Sequence, residues 1–145
     1  MAKAKITAAA FRSLLRKDLP MMSDWDVAVS AIGHGSATLR LPAHKMFLRP
    51  GNTVSGPVLM ALADVALYAA LLGMIGRIPL AVTSNLTINF LRKPGHGAVR
   101  AEAQILKLGR RIAVGEVRLF PGDETEMAAH VIASYAIPGG KGAKR

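Results

Sequence analysis

The chain has no cysteine, so disulfide bridges, thiolate metal sites and cysteine nucleophiles are excluded together. Aromatic residues make up only 5% of its 145 positions. That leaves few platforms for stacking bases, and no DNA- or RNA-binding signature accompanies them. Acids are scarce as well, nine against nineteen lysines and arginines, for a formal net charge of +10. The opening stretch MAKAKITAAAFRSLLRKDLP lacks the apolar h-region and cleavage site of a secretory signal. His34, His44, His96 and His130 show neither HxH nor HxxxH spacing, so no metal site is expected. Ser55 and Ser84 lie outside any GxSxG context, which argues against a serine-hydrolase triad.

What is present suits one compact domain. Hydrophobic residues reach 51%, enough for a full core, and charged residues only 19%, a low share that points to surface covered by further copies of the chain. Eight of the nineteen basic residues sit at the two ends. Between Gly33 and Arg118, eleven more face only Asp64, Glu102 and Glu116, an excess that would serve an anionic ligand.

Patterning predicts an amphipathic helix from Thr7 to Lys17, ended by Pro20, within a lead-in spanning residues 1–24. Strands are expected at Trp25 to Ile32 and Ser36 to Leu41, then a loop through PAHKMFLRPGNTVSGP. A long apolar helix follows, from Pro57 to about Met74. Its run to Leu72 is too short for a membrane span and carries Asp64. Four strands complete the domain over 86–91, 99–105, 111–120 and 127–137, joined by connections short enough for antiparallel neighbours. The domain thus covers 25–138, and GGKGAKR (139–145) reads as a disordered basic tail. The order fits an α+β fold in which one curved antiparallel sheet wraps a buried helix. The protein is expected to be soluble and cytoplasmic, with neither nucleic acid nor membrane as a partner.

The central helix is the candidate site. Pro57 suits the first helical position, which puts Gly56 at the N-cap, beside N–H groups that can hold an oxyanion or polarise a carbonyl. Asp64 lies eight residues on, about 12 Å along the axis at 1.5 Å per residue. No single carbonyl can touch both in one chain, so cooperation requires the Gly56 of a second subunit, as antiparallel helices in a two-fold dimer would supply. Asp64 shares its face with Met60, Ala61, Tyr68 and Leu71. An ionised carboxylate there costs several kcal/mol unless paired or wetted. It is either a structural hydrogen-bonder or a catalytic group, and the lack of a base at i±3 or i±4 favours function.

SGPVLMALADVALYAAL, with TSNLTINFLRKPGHGAVRAEAQILKLGRRIAVGEVRLF and HVIASYAIP, resembles the hotdog-fold thioesterases, and most closely their phenylacetate-degradation (PaaI-like) branch, related to 4-hydroxybenzoyl-CoA thioesterase. The resemblance spans roughly residues 25 to 138. It implies hydrolysis of acyl-CoA thioesters, aromatic or medium-chain fatty, by a homodimer or homotetramer with sites at the dimer interface. No cofactor is implied beyond the coenzyme A moiety of the substrate. Gly56 would supply the oxyanion N–H, Asp64 of the partner would be nucleophile or general base, and Thr83 would orient the attacking water. Two positions depart from the family pattern. Ser55-Gly56-Pro57 stands where His-Gly-Gly is usual, so Ser55 offers one hydrogen bond in place of an imidazole. Arg49 stands where an upstream Asn is usual, with Asn52 close by but off register. Met60 and Tyr68 are expected to be core or the wall of an acyl pocket, and Arg92, Lys93, Lys107, Arg110 and Arg111 to pair with coenzyme A phosphates. The alternative is a hotdog domain that binds acyl-CoA or a related ligand without hydrolysing it.

Overall fold

The computed structural model describes residues 2–139; residues 140–145, most of the expected basic tail, lie outside them. The chain runs α1 (Ala8–Asp18), α2 (Pro20–Asp24), β1 (Ala28–Gly33), β2 (Ser36–Leu41), a 3-10 turn (Lys45–Phe47), β3 (Leu48–Arg49), β4 (Thr53–Val54), α3 (Gly56–Ile75), β5 (Val82–Phe90), β6 (Val99–Leu108), β7 (Ile112–Pro121) and β8 (Ala129–Ala136). Six strands form one antiparallel sheet in the order β1-β2-β6-β7-β8-β5, and β3 and β4 pair apart from it.

α3 is apolar around its whole circumference, the signature of a helix buried on all sides. Leu59, Leu62, Leu67, Leu71 and Leu72 are fully enclosed. The sheet meets them with small side chains at alternate positions: Ala101 and Ala103 on β6, Ala113 and Gly115 on β7, Ala129 and Ala133 on β8. This lets the helix come close. A Cβ on Gly115 would press into Leu67 and lie 2.8 Å from the Gln104 carbonyl, so only glycine fits. α3 has 20 residues with a mean hydropathy of 2.2, long and apolar enough to cross a bilayer, so the expectation that its length excludes this does not hold. Its burial does: 72% of that stretch is inside the protein.

The N-terminal helix is part of the fold. Thr7 caps it by accepting from the Ala10 N–H at 3.0 Å, and Phe11, Leu14 and Leu15 are buried. The Lys5 N–H donates to the Gly73 carbonyl at 2.7 Å, tying the chain start to the last turn of α3.

Several boundaries differ from the sequence reading, β5 among them, which begins at Val82 and not at residue 86. Pro20 does not only stop α1. It opens α2, where its fixed φ suits a first helical position. β1 begins at Ala28 because Trp25 ends α2 and Asp26 adopts φ 57 in the turn that follows. The stretch expected as loop holds a 3-10 turn and the β3–β4 hairpin, closed by Gly51 (φ 98) and Asn52 (φ 57), residue types that tolerate the left-handed region.

Candidate active site

Asp64 sits midway along α3, half-buried, and two strands bring hydroxyls to it. Thr83 on β5 and Tyr135 on β8 are directly paired in register and both point inward. The Thr83 hydroxyl donates to Asp64 Oδ1 at 2.6 Å, and the Tyr135 hydroxyl reaches the same oxygen at 2.6 Å and the Asp64 main-chain carbonyl at 2.8 Å. An ionised carboxylate only accepts, so both hydroxyls act as donors towards it. Tyr135 is 4% exposed and stacks on Tyr68, one turn beyond Asp64, with centroids 5.9 Å apart and planes 12° from parallel. Tyr68 in turn donates to the Pro79 carbonyl at 3.1 Å. Burial, and then the Asp64 charge beside it, hold the Tyr135 phenol far above its ordinary range. Burial, with Asp18 adding to it, pushes Tyr68 up to about 12. Both are neutral, fixed donors at physiological pH.

These groups form the polar corner of an apolar cavity of about 580 Å³. Ala61, Val65 and Tyr68 of α3 line one side; Leu19, Pro20, Met21 and Met22 line another, and Leu80 to Val82 a third. Tyr68 is therefore a wall of this cavity. Met60 is 39% exposed and is not among the residues that line this cavity. Leu71, expected on the Asp64 face, is wholly buried.

The start of α3 differs by one residue from expectation. Ser55 is the N-cap, with extended backbone and no side-chain capping bond; Gly56 is the first helical residue and Pro57 the second. The orphan donors of a first turn therefore include the Gly56 N–H but none from Pro57. Gly56 opens onto a separate cavity of about 300 Å³, lined by Thr53, Val54, Leu59, Phe90 and Arg92 to Pro94. The Phe90 ring covers it closely: a Cβ on Gly56 would lie 3.1 Å from Phe90 Cζ.

The expected phosphate-binding cations are not gathered in one place. Arg92 is committed to the β7–β8 connection: its Nη2 donates to Glu124 Oε1 at 2.5 Å and to the Glu126 carbonyl at 2.9 Å. Arg100 holds the same loop through the Gly122 and Glu124 carbonyls while lying 4.4 Å over Phe120. Arg92 is thus a loop clamp, against the expectation of a phosphate ligand. Lys93 lines the Gly56 cavity, and Arg49 and Asn52 lie on the hairpin that Thr53 and Val54 tie to Gly95. Arg110 and Arg111 sit at the opposite end of the sheet, in the β6–β7 turn beside Tyr135, whose register partner is Ala113. Lys107 is at the bulge before that turn.

Two site residues went unread in the sequence, Tyr135 and Phe90. For Tyr135 a signal existed: the alternation of β8 places it inward with Val131 and Ala133, and a buried tyrosine hydroxyl needs an acceptor. Phe90 ends its strand with no comparable cue.

A model of the thioesterase superfamily matches residues 51–128, from the hairpin before α3 to the start of β8. The chain belongs to the thioesterase superfamily. A candidate thioesterase from Silicibacter sp. TM1040 has a crystal structure 37% identical in sequence, with a TM-score of 0.85 over 94% of this chain and 95% of that one. A variant of the phenylacetic acid degradation protein PaaI from Thermus thermophilus is 26% identical, with a TM-score of 0.72 over 81% of this chain and 97% of that one. A candidate esterase from Saccharolobus solfataricus is 27% identical over 88% of this chain and 90% of its own. The sheet-wrapped helix is the hotdog fold of these thioesterases, with PaaI proteins among its neighbours. Family and relatives together support thioester hydrolysis.

Proposed function

We propose that the protein hydrolyses acyl-CoA thioesters carrying aromatic or medium-chain fatty acyl groups, at sites shared between two subunits. The observation that carries this is Asp64, a carboxylate held by hydroxyl donors at the corner of an apolar cavity. The acyl group fills that cavity and its carbonyl oxygen points to the Gly56 N–H of the partner. Asp64 takes a proton from water as the water oxygen bonds to the carbonyl carbon and the C=O electrons move onto oxygen. Collapse of that intermediate expels the thiolate, which recovers the proton from Asp64. Water is consumed, and a carboxylic acid and coenzyme A leave. The same geometry suits Asp64 as a nucleophile, with water cleaving the anhydride in a second step.

A homodimer, or a tetramer built from it, supplies the second half. Gly56 and Asp64 face different cavities of one chain. The outer edge of β5 pairs with no strand among the described residues, and Leu80, Val82, Phe90 and Leu91 at its ends are exposed. An unblunted apolar edge of this kind favours pairing with a second copy. With two β5 edges antiparallel, Arg110 and Arg111 of one chain come to the Lys93 end of the other, gathering cations for coenzyme A phosphates. The substrate is then a soluble metabolite of the cytoplasm.

The test is thiol release over a panel of acyl-CoAs. Turnover should fall by about 10²- to 10⁴-fold in Asp64→Asn. No turnover on any acyl group, or an unimpaired Asp64→Asn, defeats the proposal. The second reading, binding without hydrolysis, draws on Ser55-Gly56-Pro57 in place of His-Gly-Gly and on the Phe90 ring over Gly56. It calls for saturable acyl-CoA binding with no thiol released.

A further inference from the structure

Two hydroxyls converge on Asp64 Oδ1, at 2.6 Å each, from two different strands. A carboxylate oxygen has about two lone-pair sites in its plane, so two donors saturate Oδ1. The other oxygen, Oδ2, receives neither. The Tyr135 oxygen also lies 2.8 Å from the Asp64 main-chain carbonyl, but its single proton goes to the nearer Oδ1, so it is the carboxylate that it holds. The phenol is locked in turn, with its ring stacked on Tyr68 and its proton retained by burial. From these contacts we infer that Tyr135 is a positioning residue: with Thr83 it anchors Asp64 through Oδ1, which makes Oδ2 the oxygen that reacts.

The inference rests on the thioesterase reading and sharpens it. Thr83, expected to steer water, spends its one proton on Asp64 and can only accept from the attacking water. That water gives one hydrogen to Oδ2, the one Asp64 removes, and the other to Thr83. The Tyr135 proton is committed to Asp64, and the residue acts through the angle at which Asp64 presents Oδ2.

Tyr135→Phe keeps the ring and its stack and removes only the hydroxyl. We expect kcat to fall about 10- to 100-fold with KM changed less than about twofold. A merely structural role would instead lower the melting midpoint and leave kcat per folded molecule intact. A second readout needs no turnover: the carboxylate stretches of Asp64, isolated as the infrared difference between wild type and Asp64→Asn, should shift in Tyr135→Phe as Oδ1 loses a donor. Wild-type kcat in folded Tyr135→Phe, or unmoved carboxylate bands, overturns this inference while Asp64→Asn still reports on the reaction. A wild type that releases no thiol overturns both.

Discussion

Gly56 and Asp64 stand on one helix yet open onto different cavities, with the buried Leu59 and Leu62 between them in sequence. In the shared site proposed above, each is the half that the other lacks within one chain. A subunit lacking only its carboxylate and a subunit lacking only its N–H should therefore rescue each other. Asp64→Asn and Gly56→Pro, each inactive alone, should on mixing and re-equilibration recover about one quarter of wild-type turnover, because half the dimers are mixed and each holds one intact site. No recovery in mixtures shown to exchange subunits would place both groups in one chain's site.

Gly56→Ala keeps the N–H but adds a Cβ at 3.1 Å from the Phe90 ring. Phe90 is exposed and can yield, so the melting midpoint should change little, while kcat/KM falls about tenfold or more as the methyl group and displaced ring crowd the donor. Adding Phe90→Ala should restore part of the loss. Equal activity in Gly56→Ala and wild type argues that no carbonyl approaches this helix end.

Arg92 and Lys93 are neighbours with different work. Arg92→Ala frees the β7–β8 loop from its clamp, so limited proteolysis within 121–128 should accelerate while KM for acyl-CoA holds. Lys93→Ala should raise KM and weaken its salt dependence, with proteolysis unchanged.

Tyr68 and Tyr135 set an alkaline limit. Below pH 10 both are protonated whether the chain is folded or not, and the fold keeps their full contribution. As pH rises from 10 the unfolded chain releases these protons first, since the folded Tyr68 holds its own to about 12 and Tyr135 holds on beyond that. Stability is lost across that window. Thermal melts at pH 9 and pH 11 should show the drop, and it should be smaller in Tyr68→Phe than in wild type.

The fold was largely legible in the sequence because its two periods are clean. The long apolar run of α3, broken only by Asp64, announces a buried helix, and the alternation along β6 and β8 sets which side chains meet it. Asp64 stood out by contrast with that run, and Thr83 came through the family resemblance. Arg92 was misread because what occupies a cation is a matter of tertiary contact: Glu124 and Glu126 are more than thirty residues away in sequence and arrive only when β8 pairs with β5. Tyr135 was missed for a similar reason, since its acceptor is 71 residues distant. The N-cap fell one residue early, at Ser55, a difference that proline alone cannot decide, because it is accommodated at either of the first two helical positions.

The sheet face beneath α3 sets alanines and Gly115 against leucine, and a Cβ at Gly115 would press into Leu67. The opposite walls of the Asp64 cavity are a five-residue helix and a short turn, residues 19–22 and 79–82. Changes of acyl preference among descendants of this chain, natural or bred, will accumulate in those two short stretches. The sheet floor will be the last part to drift.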